Sequence, residues 1–521
     1  MSEYYLKIGR AADLRDKKER IIFRFLEILP GALSWLTLFL IVFLSWQKPV
    51  WIAVFIIAFD LYWLFKIVYL SLHTRMAYRK MKQYEAVDWL AKLNESKIHN
   101  LKSKIKTWQD IYHLIIFPMY QEPLDIVKQS LQAVVDCDYP KEKMIIVLSY
   151  EEKAGNEAKM TAEAVEKEFG KNFFKFLATC HPKNLPGEIA GKGSNETWAA
   201  KKAKELIIDS LKIPYENIIV SCLDADTIIF PKYFSCLTYH YLTTKKPFRT
   251  SFQPIPLFIN NIWQTPAISR VIAFHTTFWH TMNQERPEKQ ITFSSHSMSF
   301  KALVDIDFWQ TNVVSEDSRI FWQCYLFYNG DYKVESLYYP ISMDANVAPT
   351  FGKTLVNLYK QQRRWAYGVG DISYFLFGFF KNRKTPPLKK IFPAIWLIEG
   401  HWSWATNPLM ILFLGWLPLI LGGSHFAQSV LSYNLPQITR LILTIAMIGI
   451  VFSSYLAILI LPPRPPQYGR WKYIFFVLQW LLVPINMIFF GSVPSLEAQT
   501  RWILGKYLGF WSTPKTRNEI K

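Results

Sequence analysis

The sequence predicts an α/β domain inserted between N-terminal and C-terminal transmembrane α-helices. Three observations lead there. Apolar residues gather at the two ends of the 521-residue chain. The middle alternates short strand-like runs with helix-like ones, the pattern of a doubly wound sheet. Two carboxylates, Asp224 and Asp226, stand where the apolar run NIIVSCL stops, and in such sheets ligands collect at the carboxyl ends of strands.

Composition narrows the partners. The chain is 51% hydrophobic and 16% aromatic, high for a purely soluble protein. Lysine and arginine number 60 against 41 acids, a net charge of +19. The basic clusters flank the apolar ends and no recognition module accompanies them, so a nucleic-acid partner is not expected and a lipid bilayer is. Five scattered cysteines without a CxxC pair give neither a disulfide framework nor a zinc site.

In order along the chain, residues 1–30 are charged and lack a signal-peptide cleavage pattern, and read as a cytoplasmic N-terminal segment. Residues 31–73 hold two apolar runs, 32–46 and 50–72, split by Gln47, Lys48 and Pro49, which predict a transmembrane hairpin. Residues 74–365 form the α/β domain. IYHLIIFPM, KMIIVLS, FFKFLAT and NIIVSCL predict strands, and LDIVKQSLQAVV and EAKMTAEAVEKEF predict helices. The basic flanks HTRMAYRKMK and KNRKTPPLKK place this domain in the cytoplasm of a multi-pass cell-membrane protein. Residues 366–390 read as an interfacial amphipathic helix. Residues 391–493 are the C-terminal transmembrane region, in which 391–422 predicts two elements broken near Thr406-Asn407-Pro408. Three crossings there would put the basic tail, 494–521, on the wrong side, so an even number is expected.

Four motifs carry chemistry. Asp224-x-Asp226 at a strand end can hold a hard divalent cation that neutralises a diphosphate. In SEDSRIFW a carboxylate at Glu316 or Asp317 can take a proton from an attacking hydroxyl, and Ser315 or Asp317 can equally cap the following helix. YKQQRRWAYG offers a forked phosphate ligand, an amide and a flat apolar platform. PGEIAGKGSNETWAAKKAKE brings Lys192 through a glycine-rich turn to a helix start, without the spacing of a P-loop.

Asp224-Ala-Asp226, Glu316-Asp317 and Gln361-Gln-Arg-Arg364-Trp365, in this order between membrane segments, resemble the processive family 2 glycosyltransferases: cellulose, hyaluronan and chitin synthases. PMYQEP resembles the family's proline-x-x-asparagine-glutamate start, with Gln121 replacing asparagine, and Phe510-Trp-Ser-Thr513-Pro-Lys515 resembles the gating loop of cellulose synthases, with Ser512 replacing valine. The resemblance spans about residues 110–515. It implies a GT-A-like nucleotide-sugar-binding domain. Asp317 would be the catalytic base. Asp226 and Asp224 would hold Mg2+ or Mn2+, with Asp224 also near the nucleotide. Lys192 and Arg364 would face the diphosphate, Thr513 and Lys515 the nucleotide sugar, and Gln361 and Trp365 the acceptor sugar. The implied reaction is inverting transfer from a nucleotide sugar, foremost a UDP-sugar, to a growing polysaccharide that threads through the chain's own helices.

Two departures bear on substrate. Ser149, Tyr150, Glu151 and Glu152 stand where many relatives carry an aspartate pair for uracil, and FSSHSMSF replaces the small acceptor motif of cellulose synthases. His296 in that segment reads as a packed histidine. Two other functions remain open to the sequence: single-sugar transfer to a lipid-linked acceptor, and a nucleotide-binding transporter or scaffold without catalysis.

Overall fold

The computed structural model describes residues 4–95, 105, 107–514 and 517. Eight strands form one sheet: β1 (Tyr112–Met119), β2 (Met144–Glu151), β3 (Lys175–His181), β4 (Ile218–Cys222), β5 (Ile228–Ile229), β6 (Thr250–Leu257), β7 (His296–Ser299) and β8 (Lys333–Ser342). Their order is β3-β2-β1-β4-β7-β6-β8-β5. The first four are parallel; β7 runs antiparallel to β4 and β6, and β5 antiparallel to β8.

The run that reads YHLIIFPM is continuously apolar because β1 is covered on both faces. Leu114 and Ile116 pack to one side, with the Lys192–Ala203 and Glu316–Phe327 helices. Ile115 and Phe117 pack to the other, with the Leu124–Val135, Asn156–Phe169 and Tyr233–Thr243 helices. Strands β2 and β3 lie on one side of β1 and β4 on the other. The order therefore reverses between β1 and β4, and a crevice opens there at the strand ends.

Apolar helices lie toward both ends of the chain. Among the described residues four helices, Lys17–Gln47, Pro49–Ala86, Val430–Ile460 and Lys472–Leu504, are long and apolar enough to cross a bilayer. A fifth candidate, Leu388–Leu412 with Leu414–Leu421, bends by 50°. The bend falls at Phe413, whereas the expected break at Thr406-Asn407-Pro408 is buried inside an unbroken helix. Large apolar side chains such as Phe39, Phe65, Leu441 and Val451 stay exposed along these helices, as surfaces that face lipid require.

Two helices depart from expectation. Gly370–Lys381, expected to lie as an amphipathic helix with one free face, is buried on most of its surface. Phe375 and Phe379 pack against Trp322 and Tyr325 of the Glu316–Phe327 helix, and Phe377 against Phe23 of the first long helix. Its aromatic content is core packing between domain and membrane helix. The Lys472–Leu504 helix bonds to the apolar helices, with Ser492 and Gln499 donating to the Trp404 and His401 carbonyls, and also to the domain. Gln479 accepts from Arg270 Nε at 2.6 Å, Asn486 donates to the Ile268 carbonyl at 3.3 Å, and Glu497 accepts from Tyr359 at 2.7 Å.

Candidate active site

Asp224 and Asp226 follow β4 directly at the switch point. Asp224 is part-exposed. Its Oδ1 lies 2.6 Å from Lys192 Nζ, and its Oδ2 accepts from Ser294 Oγ at 2.5 Å. Asp226 is fully buried, and its Oδ2 accepts from the Asp344 backbone N–H at 3.0 Å. The two carboxylates thus point to different neighbours.

Asp317 sits in the first turn of the Glu316–Phe327 helix. Ser315 occupies the N-cap position but makes no capping bond; Asp317 Oδ1 instead accepts from the Ser318 N–H at 2.9 Å. Its Oδ2 accepts from the Ser294 N–H at 3.0 Å. Ser294 therefore bridges the two acids, by its hydroxyl to Asp224 and by its backbone to Asp317. Sequence reasoning missed Ser294, although the segment FSSHSMSF was singled out. No periodicity marks a residue whose partners are 70 and 23 positions away.

Lys192 opens its helix beside these groups. Its ammonium lies 2.6 Å from Asp224, 3.5 Å from Glu196 and 4.0 Å from Glu316. Burial alone would lower its pKa, but the three carboxylates outweigh that and hold it well above the ordinary lysine value. Glu196 and Glu316 are both buried. Burial raises Glu196 to about 7, against the opposing pull of Lys192. Burial and the neighbouring Asp317 push Glu316 well above the carboxylate range. Gly193 lets the helices meet: a Cβ there would lie 2.7 Å from Glu316 Cβ.

Arg364 and Trp365 close the Phe351–Ala366 helix, capped by Thr350, whose hydroxyl accepts from the Lys353 N–H at 3.3 Å. The Arg364 guanidinium lies 5.1 Å from the centre of the Phe510 ring, and its Nε has no hydrogen-bond partner. Gln361 accepts from Asn346 at 3.2 Å. Gln361 and Trp365 line one cleft with Phe258, Asn346 and Asp344.

The tail reaches the site. Phe510 packs against Gly191, where any Cβ would collide with its ring at 2.4 Å, and Lys360 stands over Trp511. Thr513 is buried with its hydroxyl unpartnered, and Lys515 lies outside the described residues. Arg517 forms a salt bridge with Asp344, Nη2 to Oδ1 at 2.5 Å. His296 is the packed residue expected: Nδ1 bonds the Ser294 carbonyl at 2.9 Å, and burial lowers its pKa to about 4. In the segment that departs from the uracil-binding pattern, Ser149 donates to Asn195 at 2.5 Å and Glu151 pairs with Lys153 at 3.4 Å.

The oxygen-only donors of Asp224 and Asp226 fit a hard divalent cation. Among the described residues no group of three or more His, Cys, Asp or Glu side chains is gathered as a finished cage.

A strand-end crevice with acids, a lysine and an arginine thus adjoins helices long and apolar enough to cross a membrane. The chain belongs to the family described as glycosyl transferase family group 2, whose model matches residues 219–489, and apolar helices precede and follow its sheet domain. It is similar to the poly-β-1,6-N-acetyl-D-glucosamine synthase of Staphylococcus epidermidis, 26% identical over 298 residues, 56% of this chain and 62% of that one. The protein of the same name from Staphylococcus aureus (strain COL) is 32% identical over 115 residues, 22% of this chain and 24% of that one. The chain thus matches from a quarter to less than two thirds of the length of these relatives. Among solved structures, a mannosyltransferase from Pyrobaculum calidifontis in complex with GDP-Man and Mn2+ overlaps with a TM-score of 0.38 at 12% identity, covering 76% of this chain and 98% of that one. Residues 1–349 of S. aureus TarS with UDP-GlcNAc overlap at 0.31 and 12%, covering 66% and 92%. Overlaps this loose carry no argument about the site.

Proposed function

We propose that this protein is a membrane-integrated, inverting glycosyltransferase that extends a polysaccharide from a nucleotide-sugar donor. The observation that carries the reading is Ser294. It ties Asp224, the acid paired with Lys192, to Asp317, so donor-side and acceptor-side carboxylates flank one residue. Asp317 is the base that takes the proton of the acceptor hydroxyl as that oxygen attacks the anomeric carbon. Lys192 and Arg364 receive the departing diphosphate; the unpartnered Nε of Arg364 is a donor without an occupant. Gln361 and Trp365 hold the terminal acceptor sugar in their cleft, with Thr513 and Lys515 closing over the donor. Mg2+ or Mn2+, held by Asp226 and Asp224, supplies Lewis-acid charge to the diphosphate when bound. The donor is a UDP-sugar in this reading. The polymer acceptor is favoured over a lipid-linked one by the relatives, which are named as synthases of a polysaccharide.

The topology supports this reading. Tail and domain meet through Arg517 and Asp344, so both occupy one side of the membrane. With Lys472–Leu504 held to the domain, the crossings after the domain are the bent pair at 388–421 and Val430–Ile460, an even number. The side they share is the cytoplasm, given the basic flanks.

The test supplies detergent-purified protein with radiolabelled UDP-sugars and Mg2+ or Mn2+. Long product is expected, and its loss in Asp317→Asn, by a factor of about 100 or more, with donor binding kept. Full polymer synthesis by that variant would overturn the base. A single-sugar, solvent-extractable product would replace the polymer reading by the lipid-directed one.

A further inference from the structure

Antiparallel β5 and β8 pair Ile228 with Ser342 and Ile229 with Ile341. Continuing that register two residues past Ile228 sets Asp226 opposite Asp344, and the Asp344 N–H indeed donates to Asp226 Oδ2 at 3.0 Å. Both acids are buried, the Asp344 side chain to 1% exposure. Like charges directly opposite on paired strands repel, and burial sharpens the repulsion. Such a pair calls for a cation.

A cation belonging to the chain itself lies on Asp344. Arg517 holds Asp344 with Nε at 3.1 and 3.0 Å from the two carboxylate oxygens and Nη2 at 2.5 Å from Oδ1, and it also donates to Gln129. It comes from the tail beyond Leu504, whose described residues belong to no strand or helix. A forked guanidinium brings a permanent positive charge and paired hydrogen bonds to a carboxylate.

We propose that Asp344 is a further protein ligand of the divalent cation, opposite Asp226, and that Arg517 is the chain's own stand-in for that ion, leaving when it binds. The proposal rests on the nucleotide-sugar reading above and assigns it two residues no motif contains. Asp344 also lines the cleft of Gln361 and Trp365. Metal binding then releases the tail, and the release is measurable apart from catalysis.

The experiment titrates the full-length, detergent-purified protein with Mn2+, following free ion by electron paramagnetic resonance, with and without UDP. Arg517→Gln is expected to bind Mn2+ alone several-fold more tightly than wild type, because the competing guanidinium is gone. Asp344→Asn is expected to weaken Mn2+ by roughly tenfold or more in both the wild-type and Arg517→Gln backgrounds. Asp344→Glu, which keeps the charge, should retain most of the affinity and controls for misfolding. If Asp344→Asn in the Arg517→Gln background binds as tightly as Arg517→Gln itself, Asp344 is no ligand. If Arg517→Gln leaves the affinity unchanged, the stand-in role is wrong. Wild type that binds UDP with Mn2+ while either result occurs keeps the nucleotide-sugar reading and loses only this one. Failure of every form to bind UDP or Mn2+ overturns both.

Discussion

At the residue scale the site depends on groups whose meaning lies in their neighbours. Ser294 holds Asp224 by its hydroxyl and Asp317 by its backbone N–H, so the two contacts separate on mutation. Ser294→Ala keeps the second and removes a hydrogen bond to a charged group, a loss of about 1.5 kcal/mol. Placed on the transition state, that is roughly a tenfold fall in kcat, with little change in donor KM. Steady-state kinetics with varied donor check it, and an equal rise in KM would mean that Ser294 serves binding alone. Glu196 provides a pH prediction. Burial raises its pKa to about 7, above the unfolded value of 4.5, so the folded protein keeps a proton the unfolded chain has lost. The stability from that proton is fully present below the unfolded value and disappears as pH rises through about 7. Glu196→Gln, neutral throughout, should therefore gain thermal stability relative to wild type from pH 5 to pH 8. A difference in melting temperature that stays flat over this range would contradict the assignment.

At the element scale the Glu316–Phe327 helix is the part that presents the proposed base, Asp317, and its placement is electrostatic as well as apolar. Arg319, on this helix, donates Nε to Asp371 Oδ1 of the Gly370–Lys381 helix at 2.7 Å, and both side chains are 2% exposed. Ser318 donates to the same carboxylate at 2.6 Å. Removing one partner of a buried pair strands the other charge. Arg319→Leu should thus cost about 3–5 kcal/mol of stability in chemical denaturation. Arg319→Leu combined with Asp371→Leu should recover most of that loss. A double variant as unstable as the single would show that packing, rather than the stranded carboxylate, dominates. The helix reads as a helix in the sequence, but its partner read as a surface element. Aromatic residues with a helical period look the same whether they meet lipid or a protein core, and only the position of Trp322 and Phe23 distinguishes the two.

At the scale of the whole molecule the question is how a tail beyond three apolar segments returns to the crevice. Five candidate spans by composition become four crossings if the Lys472–Leu504 helix lies along the domain, to which it is bonded at Gln479, Asn486 and Glu497. This predicts opposite labelling of two introduced cysteines by a membrane-impermeant maleimide on intact cells. Ser424→Cys, between the bent pair and the Val430–Ile460 span, should label from outside. Gly469→Cys, before the Lys472–Leu504 helix, should label only after lysis. Outside labelling of Gly469→Cys would reverse the topology and detach the tail from the site.

From the sequence alone came the parts that depend on local pattern. Strands β1, β2 and β4 were legible because continuous runs of branched and aromatic residues are what a strand covered on both faces needs, and β3, half-buried at the sheet edge, through its aromatic run FFKFLAT. The Leu124–Val135 and Asn156–Phe169 helices were legible through their apolar spacing. The acids at the end of β4, the base before an aromatic helix and the arginine-tryptophan motif were legible because each stands in a short contiguous segment. What only the tertiary structure decided are the relations between those segments. Ser294 between two acids, Glu196 and Glu316 around Lys192, Asp344 opposite Asp226 and Arg517 upon it all depend on strand register and on chain ends folding back. Charges interact through space by distance and burial, and neither quantity is written along the chain.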